Sequence, residues 1–99
     1  MNMSNSVATS DYKHIYMVFT YYTGTRGSTK HVRGVYLTPE EAIARQKELI
    51  PGCEFTMNGV IYGNDQRGVS SCSFTEVFPL GNGNTPLHTT SIPNWQQYC

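Results

Sequence analysis

Only one segment of this chain carries both a start and a stop signal for a helix. Thr38-Pro39-Glu40-Glu41 is a capping box: the Thr38 side chain is placed to accept from the free amide of Glu41, whose carboxylate reaches back to the amide of Thr38. Pro39 falls at the first helical position, where its missing N–H costs nothing. Two glutamates in the first turn suit the positive end of the helix dipole. Ala42, Ile43, Gln46, Leu49 and Ile50 then recur at helical spacing, and Pro51-Gly52 ends the segment. The pattern predicts a helix from Pro39 to about Ile50. Since the remainder must be built from extended chain and turns, the fold class is α+β.

The strongest strand runs from Tyr12 to Thr23. Ile15, Met17, Phe19 and Tyr21 share one side, and Tyr16, Val18, Thr20 and Tyr22 the other. Apolar residues on both sides predict a central strand, or one whose second face is covered by a tail. A Gly/Ser/Thr loop then leads to a returning strand, Lys30 to Leu37, so a hairpin is the economical connection. Within Glu54–Gly63, Asn58-Gly59 has the chemistry of a tight hairpin turn. Val69 to Phe78 reads as a further strand, with Cys72, Phe74 and Phe78 on one face and Val77 on the other. These elements predict an antiparallel or mixed sheet of four to five strands with the helix packed on it. Seven Tyr, four Phe and one Trp lead to the expectation of a largely aromatic core.

The seven basic and seven acidic residues all lie between Asp11 and Glu76, and formal net charge is zero. There is no global field to draw in nucleic acid or an anionic membrane, and little self-repulsion to oppose association. The distribution divides the chain into a polar N-terminal segment 1–10, a compact domain 11–78 and a C-terminal arm 79–99. A compact part of about sixty-five residues buries so little that help from a partner or oligomer is expected. In the arm, Pro79, Pro86 and Pro93 argue for extended geometry rather than a helix. Leu87, Ile92, Trp95 and Tyr98 are its apolar anchors, of the type that dominates protein interfaces, and Tyr21 and Tyr22 are secondary interface residues. The anchors suit a neighbour's surface or the protein's own sheet.

Cys53, Cys72 and Cys99 are too few and too widely spaced for a disulfide framework. The start, Met-Asn-Met-Ser-Asn-Ser, lacks the basic and apolar regions of a signal peptide. A reducing compartment or a virion is the expected location, without classical secretion. No run approaches the roughly 18 apolar residues of a membrane span.

Motifs for chemistry are sparse. Gly24-Thr-Arg-Gly27-Ser-Thr-Lys30 lacks the Gly-Lys of a phosphate loop and precedes a strand, not a helix. The same hairpin gathers Arg26, Lys30 and Arg33 beside Tyr21 and Tyr22, a set suited to phosphate contact and base stacking. His14, His31 and His88 with the cysteines show no metal-ligand spacing, and no cofactor is expected. Cys72 lies among Ser70, Ser71 and Ser73, but alternation makes it an ordinary strand residue. Capping and dipole effects account for Glu40 and Glu41. With no nucleophile–base–orienter set, the sequence points away from catalysis.

The run Gly34-Val35-Tyr36-Leu37-Thr38-Pro39-Glu40-Glu41-Ala42, a strand feeding a capped helix, resembles a pattern of small phage and bacterial proteins. The whole chain, an aromatic-rich sheet domain with neutral Asn/Thr/Ser/Pro ends, is similar to minor structural proteins of large DNA-virus particles. That resemblance implies a non-enzymatic subunit of a multi-chain assembly, a minor capsid or virion protein docking on its neighbours through the arm. It matches no motif residue by residue and carries no functional residues across. The alternatives are a small nucleic-acid-binding module using the basic hairpin and a soluble protein that binds a host enzyme.

Overall fold

The capped segment forms a helix, α1 (Pro39–Leu49), in the computed structural model, which describes residues 14–24, 27–80 and 89–98. Thr38 Oγ1 accepts from the Glu41 amide at 3.3 Å and donates to Glu41 Oε1 at 2.9 Å. The carboxylate therefore engages the Thr38 hydroxyl, not the Thr38 amide that the box predicts. One hydroxyl serves both halves of the cap.

Five strands surround the helix in sequence: β1 (His14–Gly24), β2 (Gly27–Tyr36), β3 (Gly52–Met57), β4 (Val60–Asn64) and β5 (Ser70–Pro79). They form one antiparallel sheet in the order β2-β1-β5-β4-β3. The apolar β1 is flanked on both sides, as its two apolar faces predict. Asn58 (φ 54°) and Gly59 (φ 81°) make the tight β3–β4 turn, whose two left-handed residues match the twist of the strands they join. Gly63 meets a different demand, because a Cβ there would collide with the backbone of Gly52.

The helix lies on one face of the sheet, where its Ala42 and Ile43 form the core with Val18, Val77 and Ile92. Ile50 and Ile61 are also buried. This core is aliphatic, against the expectation of an aromatic one. Among the described residues Phe19 is the one aromatic side chain in the buried class. Branched aliphatic chains fill the narrow space between helix and pleat. Tyr16, Tyr36, Trp95 and Tyr98 pack around its edge, where a hydroxyl or indole N–H is spared full burial.

A polar cluster fixes the helix on the sheet. Gln46 is wholly buried, yet its amide is satisfied: Nε2 donates to the carbonyls of Gly59 (3.0 Å) and Ser73 (2.9 Å), and Oε1 accepts from Thr75 Oγ1 (2.6 Å). Ser73 Oγ donates to the Gln46 carbonyl at 3.1 Å. Hydrogen bonds are directional, so the three to Ser73 and Thr75 define where along β5 the helix sits, and the fourth ties it to the β3–β4 turn.

Of the two places expected for the C-terminal anchors, a neighbour's surface or the protein's own sheet, Ile92 takes the second. The described part of the C-terminal segment, residues 89–98, is a strap on its own domain. β4 pairs with β5 only as far as Ser73, which frees the edge of β5 near Val77. Thr89 takes that place, with reciprocal amide–carbonyl bonds to Val77 of 2.9 and 3.2 Å. Ile92 enters the core. Asn94 turns the chain with φ 57°, and Trp95–Tyr98 form one turn of 3-10 helix, a short helical piece that the proline spacing did not predict. Lys47 Nζ donates to the Tyr98 carbonyl at 3.1 Å, and a Cβ on Gly59 would lie 3.3 Å from the Trp95 ring.

Candidate functional site

The helix and strap occupy the sheet face that carries Val18, Ser73, Thr75 and Val77. Alternate residues point to the other face, and nothing among the described residues covers it. Register places Lys30, Tyr21, Cys72, Tyr62 and Phe55 in a single row across all five strands. Val32, Phe19 and Phe74 form the next row, and Val35, Met17 and Glu76 the one beyond it.

Stacked rings organise this surface. Phe19 and Phe74 lie 5.3 Å apart between centroids at 17°, and Phe55 and Tyr62 lie 4.6 Å apart at 14°. Lys30 crosses the first pair, with Nζ 4.3 Å from the Phe19 centroid and 2.7 Å from Glu76 Oε2. Its stem shields Phe19, which keeps only 6% of its surface exposed on a face that no other described element covers. The ammonium gains from the ring quadrupole as well as from the carboxylate. These two charges cancel where they meet.

Around this anchored centre the apolar chains are open. Val32 is 56% exposed, Phe55 52%, Val35 52% and Met57 51%. An isolated exposed apolar residue is ordinary, but a contiguous face with its charges neutralised is the mark of a surface that binds. Cys72 sits within it between Tyr21 and Tyr62, and burial pushes its thiol pKa up. That environment suits a packing residue, not a thiolate nucleophile.

The predicted site residues separate onto different surfaces. Tyr21 belongs to the open face and Tyr22 to the helix side. Lys30 and Arg33 also part company: Lys30 lies over Phe19, whereas Arg33 Nε donates to Thr20 Oγ1 at 2.8 Å on the helix side. Three positions apart on one strand, the two fall on opposite faces by alternation alone, and the register shift that follows, where Val18 pairs with Gly34 and Phe19 with Val32, instead brings Val35 back to the open face. Such a bulge re-aims a side chain. Lys30 and Arg33, by contrast, do not share a face of the sheet. Ile92 is enclosed by its own domain and presents nothing to a neighbour, while Trp95 and Tyr98 are partly buried against the same core. Leu87, Arg26 and residues 1–10 lie outside the described residues.

Sequence reasoning did not single out Val32, Val35, Phe55 and Met57. Their apolar character was legible, but Val32 and Val35, three apart, share a face only through the bulge at Arg33, and Phe55 with Met57 joins that face only through cross-strand register. Among the described residues no three His, Cys, Asp or Glu side chains come together as metal ligands, and no helix is long and apolar enough to cross a membrane. Comparison with protein-family models, curated proteins and solved structures gives no match.

Proposed function

We propose that the protein is a non-enzymatic interaction subunit of a multi-chain assembly, and that its open sheet face is the docking surface, first of all for a second copy of itself. The observation that carries this reading is the apolar face spanning all five strands, whose charges, Lys30 and Glu76, are spent on each other. Two such faces pack about 10 Å apart as a sandwich, giving layers of helix, sheet, sheet and helix. Zero formal net charge offers no long-range repulsion against the approach. The docking element is thus the sheet, in place of an arm whose Ile92 already serves its own core. The similarity to minor structural proteins of DNA-virus particles makes a virion the setting we favour.

Size-exclusion chromatography with light scattering tests the reading. The natural chain should self-associate, and Val32→Glu with Phe55→Glu should give a monomer with an unchanged circular dichroism spectrum. A natural chain that is monomeric at every concentration, or an oligomer indifferent to both substitutions, overturns it.

A further inference from the structure

On the opposite side of the sheet, independent of the docking face, a cleft of about 320 Å³ opens between β1, β2, the end of α1 and the turn before β5. Thr20, Tyr22, Arg33, Arg45, Arg67 and Ser71 line it. Three guanidinium groups meet one lining carboxylate, Asp65, in a protein whose formal net charge is zero. We infer that this cleft is an anion-binding site for a phosphomonoester.

The carboxylate is already committed. Asp65 accepts from the amides of Arg67 (2.8 Å) and Val69 (2.9 Å) and from Arg67 Nε (3.2 Å) and a terminal guanidinium nitrogen (2.9 Å). With its lone pairs occupied, it plants Arg67 at the rim and leaves little acceptor capacity for a cation. Arg45 is held loosely, by Nε to the Arg33 carbonyl at 3.4 Å and a terminal nitrogen to Glu48 at 3.3 Å. Arg33 has no carboxylate partner among the described residues. It lies on the helix side of the sheet in the cleft lining, and its bond from Nε to Thr20 Oγ1 orients the fork.

Several forked donors around one small space suit an oxyanion of more than one negative charge, since a single carboxylate occupies only one fork. The Thr20, Tyr22 and Ser71 hydroxyls add neutral donors, and the Tyr22 ring with Leu49 gives an apolar wall for the organic part of an ester. The volume is at the small end of ligand cavities, which run from about 300 to 1,000 Å³. That suits one phosphoryl group with a modest substituent.

The test is titration of the full chain with phenyl phosphate and with a phosphotyrosine peptide, read by calorimetry and by the arginine Nε–H resonances. Saturable binding of either, with shifts at Arg33, Arg45 and Arg67, supports the site. Preference for the free ester identifies a small-molecule ligand, and preference for the peptide a modified side chain. Arg33→Gln should weaken binding by roughly ten- to a hundredfold, and Arg33→Lys, which keeps the charge and loses the fork, should fall between. No saturable binding of either probe, or resonance shifts confined to other residues, overturns the proposal. The resonances of the natural chain decide between these outcomes even if a variant fails to fold.

Discussion

Replacing Gln46 with leucine removes a buried amide while nearly preserving volume, and so isolates what the polar cluster contributes. Three bonds are lost, from Nε2 to the carbonyls of Gly59 and Ser73 and from Thr75 Oγ1 to Oε1. Ser73 and Thr75 are as buried as Gln46 itself, so water cannot replace it without opening the core. A stranded buried polar group costs about 1–3 kcal/mol. Three of them at about 1.3 kcal/mol each, near the low end because two are carbonyls that keep a second lone pair, less roughly 1 kcal/mol recovered from the more apolar side chain, leave a net loss of about 3 kcal/mol. In a domain of this size that lowers the melting temperature by roughly 10–25 °C. Urea unfolding followed by the fluorescence of Trp95, the only tryptophan, measures the loss directly. Thr75→Val alone should cost less. The double variant Gln46→Leu/Thr75→Val should cost less than the sum of the two, since both partners of the 2.6 Å bond are then gone. A Gln46→Leu protein as stable as the natural one would falsify the reasoning, because the cluster would then add no net stability over an apolar contact.

Other perturbations address the strap and the cleft rim. Ile92→Ala should destabilise by about 2–5 kcal/mol through the cavity it leaves, and denaturant titration should show a lower midpoint; an unchanged midpoint means that the strap does not complete the core. Removing residues 89–98, which takes away Ile92 together with Trp95 and Tyr98, should destabilise the domain at least as much. Asp65 has its carboxyl pKa lowered, first by the Val69 amide and then by Arg67. Its contribution is present above the unfolded value near 3.8 and is lost as pH falls through the lower folded value. Below pH 4 the natural chain should therefore lose stability faster than Asp65→Asn, and parallel acid-unfolding curves for the two would contradict the assignment.

Local chemistry was legible in the sequence where its cause lies within a few residues. Thr38 with Glu41, Asn58 with Gly59, and the alternation along β1 and β5 each depend on neighbours in the chain. The helix stripe named the buried residues, including Gln46, but its amide partners lie on β5 and at the β3–β4 turn. Arg33 and Lys30 show why the candidate site was harder to read. Alternation separates these two cations, three positions apart, but only cross-strand pairing shows which face each one reaches, and only the bulge puts Val32 and Val35 on one face. The strap was similarly hidden: Ile92 has the composition of an interface anchor whether it meets a neighbour or its own helix, and the free edge beside Val77 exists only because β4 is short.

The strand order has a further consequence, in time. β1 and β2 are neighbours in the chain, as are β3, β4 and β5, so these pairings close short loops. The β1–β5 pairing alone joins the two groups, and β2, α1, β3 and β4 all intervene. Entropy must be given up before that contact returns anything, which makes it the slow step of assembly of the sheet. Until it forms, the apolar strands β1 and β5 each expose an unpaired edge, the form in which chains most readily join the wrong partner. The Phe19–Phe74 stack bridges these two strands. The seam that unites the fold is thus also its interval of greatest exposure to misassembly.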